Sequence, residues 1–393
     1  MKGVLKNNKQ ATYLFVVLLP IFLVIIIFAL PRIFSDHYVI AGDATIPIAT
    51  STPKEVVFVP SYVSTPEPVR GIYMTSWVAS NEQLRGGLVK LIDETEINTL
   101  VIDIKDYSGK IVFKVSSPEL KNYGSEEIRI KDLQDFIETL HKKNIYVVGR
   151  VAVFQDAYFV KHRPDLAVKT EDKSAVWKDR KGISWIDPGS KEYWDYIILL
   201  AKESRKLGFD EINFDYIRFP SDGNMQDISY PFSSSTTKAI VMKNFFEYLH
   251  NELIGTGLKT SADLFGMTTS ANDDMGIGQL LENTLPYFDY IMPMVYPSHY
   301  PPTFEGFSDP EKYPYEVVKY AMKSAVDRSE LLASTTGQVV GELRPWLQDF
   351  GLKMSYGATE VRAQIKATND VGLSSWILWS PSNKYTKGAL NPN

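Results

Sequence analysis

The chain has 393 residues, 44% of them hydrophobic and 12% aromatic, enough for a large packed core and unlike a disordered or fibrous protein. Its formal net charge of −5 provides no basic footprint for a polyanion, so nucleic acid is not an expected partner. With no cysteine, disulfides, thiolate nucleophiles and Cys-based metal sites are excluded.

Residues 13–30 (YLFVVLLPIFLVIIIFAL) form an unbroken apolar run, which as a helix would span ~27 Å, close to the hydrocarbon thickness of a bilayer. Lys2, Lys6 and Lys9 precede it, so residues 1–12 are expected in the cytoplasm and everything after the span outside. The alternative is a cleaved secretory signal, but the run exceeds a ~7–15-residue signal core and no A-x-A site follows closely. Residues 31–68 are rich in Pro, Ser, Thr and Val without periodicity and read as a linker.

From residue 69 to 393, short apolar runs alternate with amphipathic stretches, the pattern of βα units around a parallel sheet. Eight strands are predicted, over 70–75, 98–103, 145–151, 210–216, 259–264, 288–295, 343–348 and 374–379. Eight such units give a (β/α)8 TIM barrel. A helix is predicted over 131–143, where Leu133, Phe136, Ile137 and Leu140 share one face. A second is predicted over 190–207, with Ser190 as N-cap and Gly208 closing it. The seventh strand is the least regular, because Pro345 cannot donate to a ladder and 329–342 lacks a clear period. The runner-up fold, a doubly wound sheet, would need a Gly-rich phosphate turn after the first strand, and RGIYMTSW has none.

Alternation along parallel strands sends every second residue into the lumen. Asn213 and Asp215 are expected inward on the fourth strand, Asp103 and Lys105 on the second, Ser261 and Asp263 on the fifth. Three carboxylates from three strands then converge at one end, with Asp215 in FDYIRFP the leading site residue. A lone strand-end Asp more often caps a helix or pairs with an Arg; convergence is what favours chemistry. Arg150, in an apolar setting, needs a carboxylate partner, Asp103 or Asp215. Aromatics crowd the same strand ends: Trp77, Tyr107, Phe154, Tyr216, Phe219, Tyr296, Trp346 and Trp379. Such rings stack on the C–H face of sugars, although Trp376 and Phe214 are expected in the core. The expected sugar-binding set is completed by Lys105, Arg150, Asn213, Arg218 and Gln348.

Carboxylates among aromatics suit glycosidic hydrolysis, which needs one protonated and one ionised carboxyl group. Asp215 is assigned as nucleophile or base and Asp263 as acid, with Asp103 beside them. No cofactor or metal is expected: His37, His141, His162, His250 and His299 are scattered without i, i+4 spacing, and no G-x-S-x-G supports a serine hydrolase.

The motifs FDEINFDYIRFPSDG (209–223), RGIYMTSW (70–77), VIDIKDYSG (101–109), WIDPGSKEYW (185–194) and LRPWLQDF (343–350) resemble a family described as a putative glycosyl hydrolase domain. The resemblance spans roughly residues 69–385. It implies a (β/α)8 barrel related to retaining glycoside hydrolases of α-glucans and cell-surface polysaccharides. Such α-amylase-type barrels place a Glu after the fifth strand where this chain has Asp263. Chitinase-like barrels end the fourth strand with D-x-E, whereas Tyr216 and Ile217 follow Asp215 here. The expectation is a membrane-anchored extracytoplasmic glycoside hydrolase acting on an envelope or extracellular polysaccharide. The alternatives are a non-catalytic polysaccharide-binding or scaffold barrel that has lost the proton donor, and, less favoured, a lyase.

Overall fold

The computed structural model describes residues 58–393, and the apolar span at 13–30 lies outside them. Among the described residues no helix is long and apolar enough to cross a membrane.

Nine parallel strands form a closed sheet: β1 (Arg70–Met74), β2 (Thr99–Lys105), β3 (Tyr146–Ala152), β4 (Glu211–Asp215), β5 (Lys259–Phe265), β6 (Tyr290–Met294), β7 (Glu342–Leu343), β8 (Trp346–Gln348) and β9 (Trp376–Trp379). Closure comes from β1 pairing with β9, Gly71 opposite Ile377. The predicted seventh strand is split into β7 and β8, which both pair with β6. Pro345 lies at the break, where a residue without an N–H cannot continue the ladder. Eight barrel positions therefore carry nine strand segments.

Helices α1 (Glu82–Asp93), α2 (Leu133–His141), α3 (Lys191–Leu207), α4 (Lys238–Leu253), α5 (Pro314–Thr336) and α6 (Ala358–Asp370) supply the outer layer. The β5–β6 connection has only short turns, a 3-10 turn at Gly266–Thr269 and a helical turn at Leu281–Thr284. Leu133, Phe136, Ile137 and Leu140 are buried on α2. Ser190 and Gly208 flank α3 as predicted, Gly208 in the left-handed region at φ 111, but the Ser190 hydroxyl makes no capping bond. α5 runs through 329–336, part of the stretch without a clear period, and stops at Gly337 (φ 69).

Outward residues Leu100, Ile102, Val151, Ile212, Phe214, Ala262 and Leu264 pack under the helices, while Tyr73, Val101, Tyr146, Val148, Met292 and Trp346 fill the lumen. Phe214 and Trp376 are core residues, as expected, and so are Phe154 and Phe219 from the supposed aromatic rim. One inward assignment fails. The β2–β3 register shifts between Asp103 and Lys105, so Asp103 sits opposite Arg150 but Lys105 opposite outward Val151. Lys105 is thereby turned into the helix layer, where its Nζ donates to the Ala152 carbonyl (2.5 Å) and pairs with buried Asp156 (2.9 Å). It binds the fold together and does not reach the mouth.

The end of the predicted linker also behaves differently from a spacer. Residues from Val59 on belong to the barrel unit. The Tyr62 hydroxyl donates to the Arg205 carbonyl (2.9 Å), the Val63 N–H to Asp210 (2.8 Å), and the Thr65 hydroxyl to Tyr146 (3.2 Å). Tyr290 donates to the same Thr65 hydroxyl (3.1 Å). Behind this plug lies a fully buried ion pair, Arg344 to Glu211 at 3.0 Å, to which Tyr146 adds a hydrogen bond (3.1 Å). Removing residues 59–68 would delete the Val63 bond to Asp210 and the Thr65 bond to Tyr146, each worth about 0.5–1.5 kcal/mol, or more to a charged group. A chain beginning at Val69 should therefore melt at least about 3 °C below one beginning at Val59 in calorimetry; equal melting would show the plug to be energetically idle.

Candidate functional site

Strand register builds the site. Asp103, Arg150, Asn213 and Ser261 lie side by side on β2, β3, β4 and β5, and Asp215 and Asp263 stand two residues further toward the C-terminal ends. Arg150 is the hub. Its Nη1 donates to Asp103 Oδ1 at 2.6 Å, its Nη2 to Asp215 Oδ2, and its Nε lies 3.8 Å from Asp263 Oδ2. The predicted need for a carboxylate is met by two direct partners and a third nearby.

The three acids are held differently. Asp215 Oδ1 accepts the N–H of Tyr216 at 2.5 Å; Tyr216 has φ 52, a conformation rare for a bulky residue and concentrated at functional sites. Asp263 Oδ1 accepts from Asn213 Nδ2 (2.8 Å) and Trp346 Nε1 (2.7 Å), leaving Oδ2, 3.8 Å from Arg150 Nε, as the oxygen without a direct donor. Burial, and then the Asp215 charge, push Asp263 well above the usual carboxylate range; Arg150 and the two donors to Oδ1 offset this only in part. Asp103 takes the Tyr73 hydroxyl on its other oxygen. Burial raises it too, against the pull of Arg150 and Tyr73.

Asp215, Asp263 and Arg150 line a cavity of about 280 Å³ at this end of the barrel, with Tyr216, Arg218, Tyr296, Trp346 and Trp379 also on its wall. Tyr296 stacks on Trp379 at 5.1 Å and 22°. Other predicted site residues lie elsewhere. Asp103 is behind Arg150, and Asn213 lies beneath Asp263, donating also to Ser261 (3.1 Å). Gln348 is buried and accepts from the Ser298 N–H (3.1 Å) and hydroxyl (2.9 Å), fixing the loop that carries His299. Trp77 and Tyr107 are 61% and 55% exposed and neither lines the cavity. They follow their strands onto surface segments, Trp77 on a short helix beneath the Arg129 guanidinium (4.3 Å from its ring).

The cavity wall also contains Phe265, Gly266, Met267, Met294, His299 and Tyr300, which strand alternation did not single out. His299 follows rim residue Tyr296 by one 3-10 turn (Pro297–His299), a spacing that could have flagged it; burial lowers its imidazole. Gly266 is required by space: a Cβ there would lie 2.5 Å from the Met294 carbonyl. Among the described residues, no group of three or more His, Asp or Glu is arranged to hold a metal ion.

Because burial and the Asp215 charge raise Asp263 in the folded chain, its contribution to stability is fully present below about pH 4 and is lost as pH rises through the raised folded-state titration. Asp263→Asn should raise the melting temperature at pH 7 by about 2 °C or more, with the gain vanishing below about pH 4. Trp346→Phe deletes a donor to the carboxylate and should move Asp263 still higher, followed by carboxyl-carbon NMR; an unchanged titration would contradict the assigned hydrogen bond.

Residues 71–385 match the model of a family described as a putative glycosyl hydrolase domain. Among solved structures, the glycoside hydrolase domain of PgaB (BpsB) from Bordetella bronchiseptica aligns with TM-score 0.59 and 12% identity, covering 82% of this chain and 99% of that one. A hypothetical protein from Ruminiclostridium thermocellum aligns at 33% identity and TM-score 0.44, covering 48% of this chain and 96% of that one. The glycoside hydrolase domain of PelA from Pseudomonas aeruginosa aligns at 11% identity and TM-score 0.44, covering 81% and 96%. No curated protein matches the chain.

Proposed function

The chain belongs to the family of putative glycosyl hydrolase domains, and from that membership together with the apolar run at 13–30 we propose a membrane-anchored glycoside hydrolase whose barrel works outside the cytoplasm on an envelope or extracellular polysaccharide. The observation that carries the chemistry is the inequality of two carboxyls at one guanidinium: Asp263 pushed up by burial and by Asp215, Asp215 ion-paired to Arg150. Two carboxyl groups in environments that separate their protonation are what acid-assisted glycoside cleavage needs.

In the proposed sequence, the sugar ring lies in the cavity against Trp346, Tyr296 and Trp379. Asp263 delivers the proton on Oδ2 to the glycosidic oxygen while an Asp215 oxygen bonds to the anomeric carbon and the bond to the leaving sugar breaks. The Asp263 carboxylate then takes a proton from water as that water displaces Asp215, restoring both groups. The resemblance to retaining enzymes favours this double displacement. Arg150 orients Asp215 and offsets the charges around it, and Asn213 and Trp346 fix the acid's rotamer. An Asp263 raised above the ordinary carboxylate range favours catalysis over the non-catalytic reading, since a general acid must hold its proton.

Full-length protein should release reducing ends from an envelope polysaccharide, and Asp215→Asn should lower the rate about 10³-fold or more. Asp263→Asn should be similarly damaging on sugar leaving groups but much milder on aryl glycosides whose phenolate departs without a proton. Full activity in Asp215→Asn would overturn the assignment; glycan binding with no turnover under any condition would favour the scaffold reading. The anchor rests on the apolar run at 13–30 and the lysines before it. The protein should stay with membranes through alkaline extraction, whereas release would indicate a cleaved signal.

A further inference from the structure

Arg218 stands apart from the other arginines that face the lumen. Arg150 is shared by carboxylates, and Arg344 is paired with Glu211 at 3.0 Å. Arg218 is 8% exposed on the cavity wall, yet among the described residues no carboxylate lies within 4.0 Å of it. Its Nη1 donates to the Phe219 carbonyl (3.0 Å) and the Ser221 hydroxyl (3.2 Å). Its guanidinium carbon lies 4.5 Å from the ring centre of Phe265, 4.9 Å from that of Trp185 and 5.4 Å from that of Tyr216. Nε and Nη2 donate to nothing among the described residues and are not sealed off as buried unpartnered atoms.

A buried cation normally has a counter-charge. Ring faces compensate part of that need, but they leave the in-plane edge of the guanidinium untouched. That edge, Nε with Nη2, is the fork that grips a carboxylate side-on. Burial lowers Arg218 from its ordinary value, outweighing the opposing pull of Tyr216 and of the more distant Asp215, Asp222 and Asp179. Arg218 lies on the same cavity wall as Asp215, whose own cation, Arg150, is already shared with carboxylates, so Arg218 is the cation on that wall left to meet an acidic sugar.

We propose that this cavity selects acidic polysaccharides, with Arg218 receiving the carboxylate of a uronic-acid-type sugar through its Nε–Nη2 edge. The inference deepens the hydrolase reading and rests on it for the cavity being a glycan site. It makes Arg218 a specificity residue, and it identifies the substrate as an anionic polymer on which neutral glucans would be poor competitors.

The test is equilibrium binding by calorimetry with full-length Asp263→Asn protein, which keeps the charge of a protonated acid and blocks proton donation. The ligands are oligomers of galacturonate, glucuronate and mannuronate, each beside its carboxyl-reduced twin. At least one uronate should bind about 10- to 100-fold more tightly than its twin. Arg218→Gln should erase that difference without changing affinity for the twin, and Arg218→Lys should keep part of it. The twin comparison needs no Arg218 variant, so it decides the matter even if Arg218→Gln misfolds. The proposal falls if no uronate outbinds its twin, if the preference survives in a folded Arg218→Gln protein, or if poly(glycerol phosphate) outbinds every uronate. Uronate preference in a protein with no turnover would remove the hydrolase reading and leave the acidic subsite. Turnover of neutral glycans without that preference would do the reverse.

Discussion

One guanidinium among three buried carboxyls sets the terms for the upper barrel. Arg150 carries a single positive charge, while Asp103, Asp215 and Asp263 would carry three negative ones in a place where water cannot screen them. One cation cannot balance three such charges, and Asp263 and Asp103 are both raised from the ordinary carboxylate range. Geometry separates the three. Asp103 and Asp215 hold direct bonds to Arg150, whereas Asp263 lies 3.8 Å from the nearest nitrogen and receives donors only on its inner oxygen. The difference between Asp263 and Asp215 thus follows from how one guanidinium is shared in a buried lumen, with Asn213 and Trp346 holding the Asp263 oxygen turned away from Arg150.

What was legible in the sequence follows from what period two can encode. Asn213, Asp215, Ser261 and Asp263 point inward because nothing interrupts the alternation of β4 and β5, and the convergence of Asp215 and Asp263 on one cavity could be read from strand ends alone. Lys105 could not, because a register shift one residue before it reverses its side without a glycine or proline to mark the place. Trp77 and Tyr107 lie past the ends of their strands, where loop geometry rather than alternation decides direction. His299 lies beyond the end of β6, and its one signal is the short step from Tyr296, whose 3-10 turn brings it to the wall.

Pro345 illustrates the converse case, a local signal read correctly as trouble whose structural outcome was larger than a weak strand. The break it marks leaves Arg344 in the lumen against Glu211 and Trp346 against Asp263. Two residues flanking one proline therefore serve two different layers: a closed ion pair below and the acid's donor above. The plug formed by residues 59–68 was illegible for a different reason. It has no periodicity, and it docks through a backbone N–H and hydroxyls onto residues about 80 to 225 positions away in the chain.

The plug and the cavity occupy opposite ends of the barrel, with the packed side chains of the lumen between them. Tension applied at Val59 would therefore be borne first by Tyr62, Val63 and Thr65, and through them by Arg205, Asp210 and Tyr146. Those residues belong to α3, β3 and the turn into β4, and they would be loaded in parallel by several hydrogen bonds. Mechanical strain would be dissipated at the barrel's base, and the alignment of Arg150, Asp215 and Asp263 would be insulated from it by the width of the core.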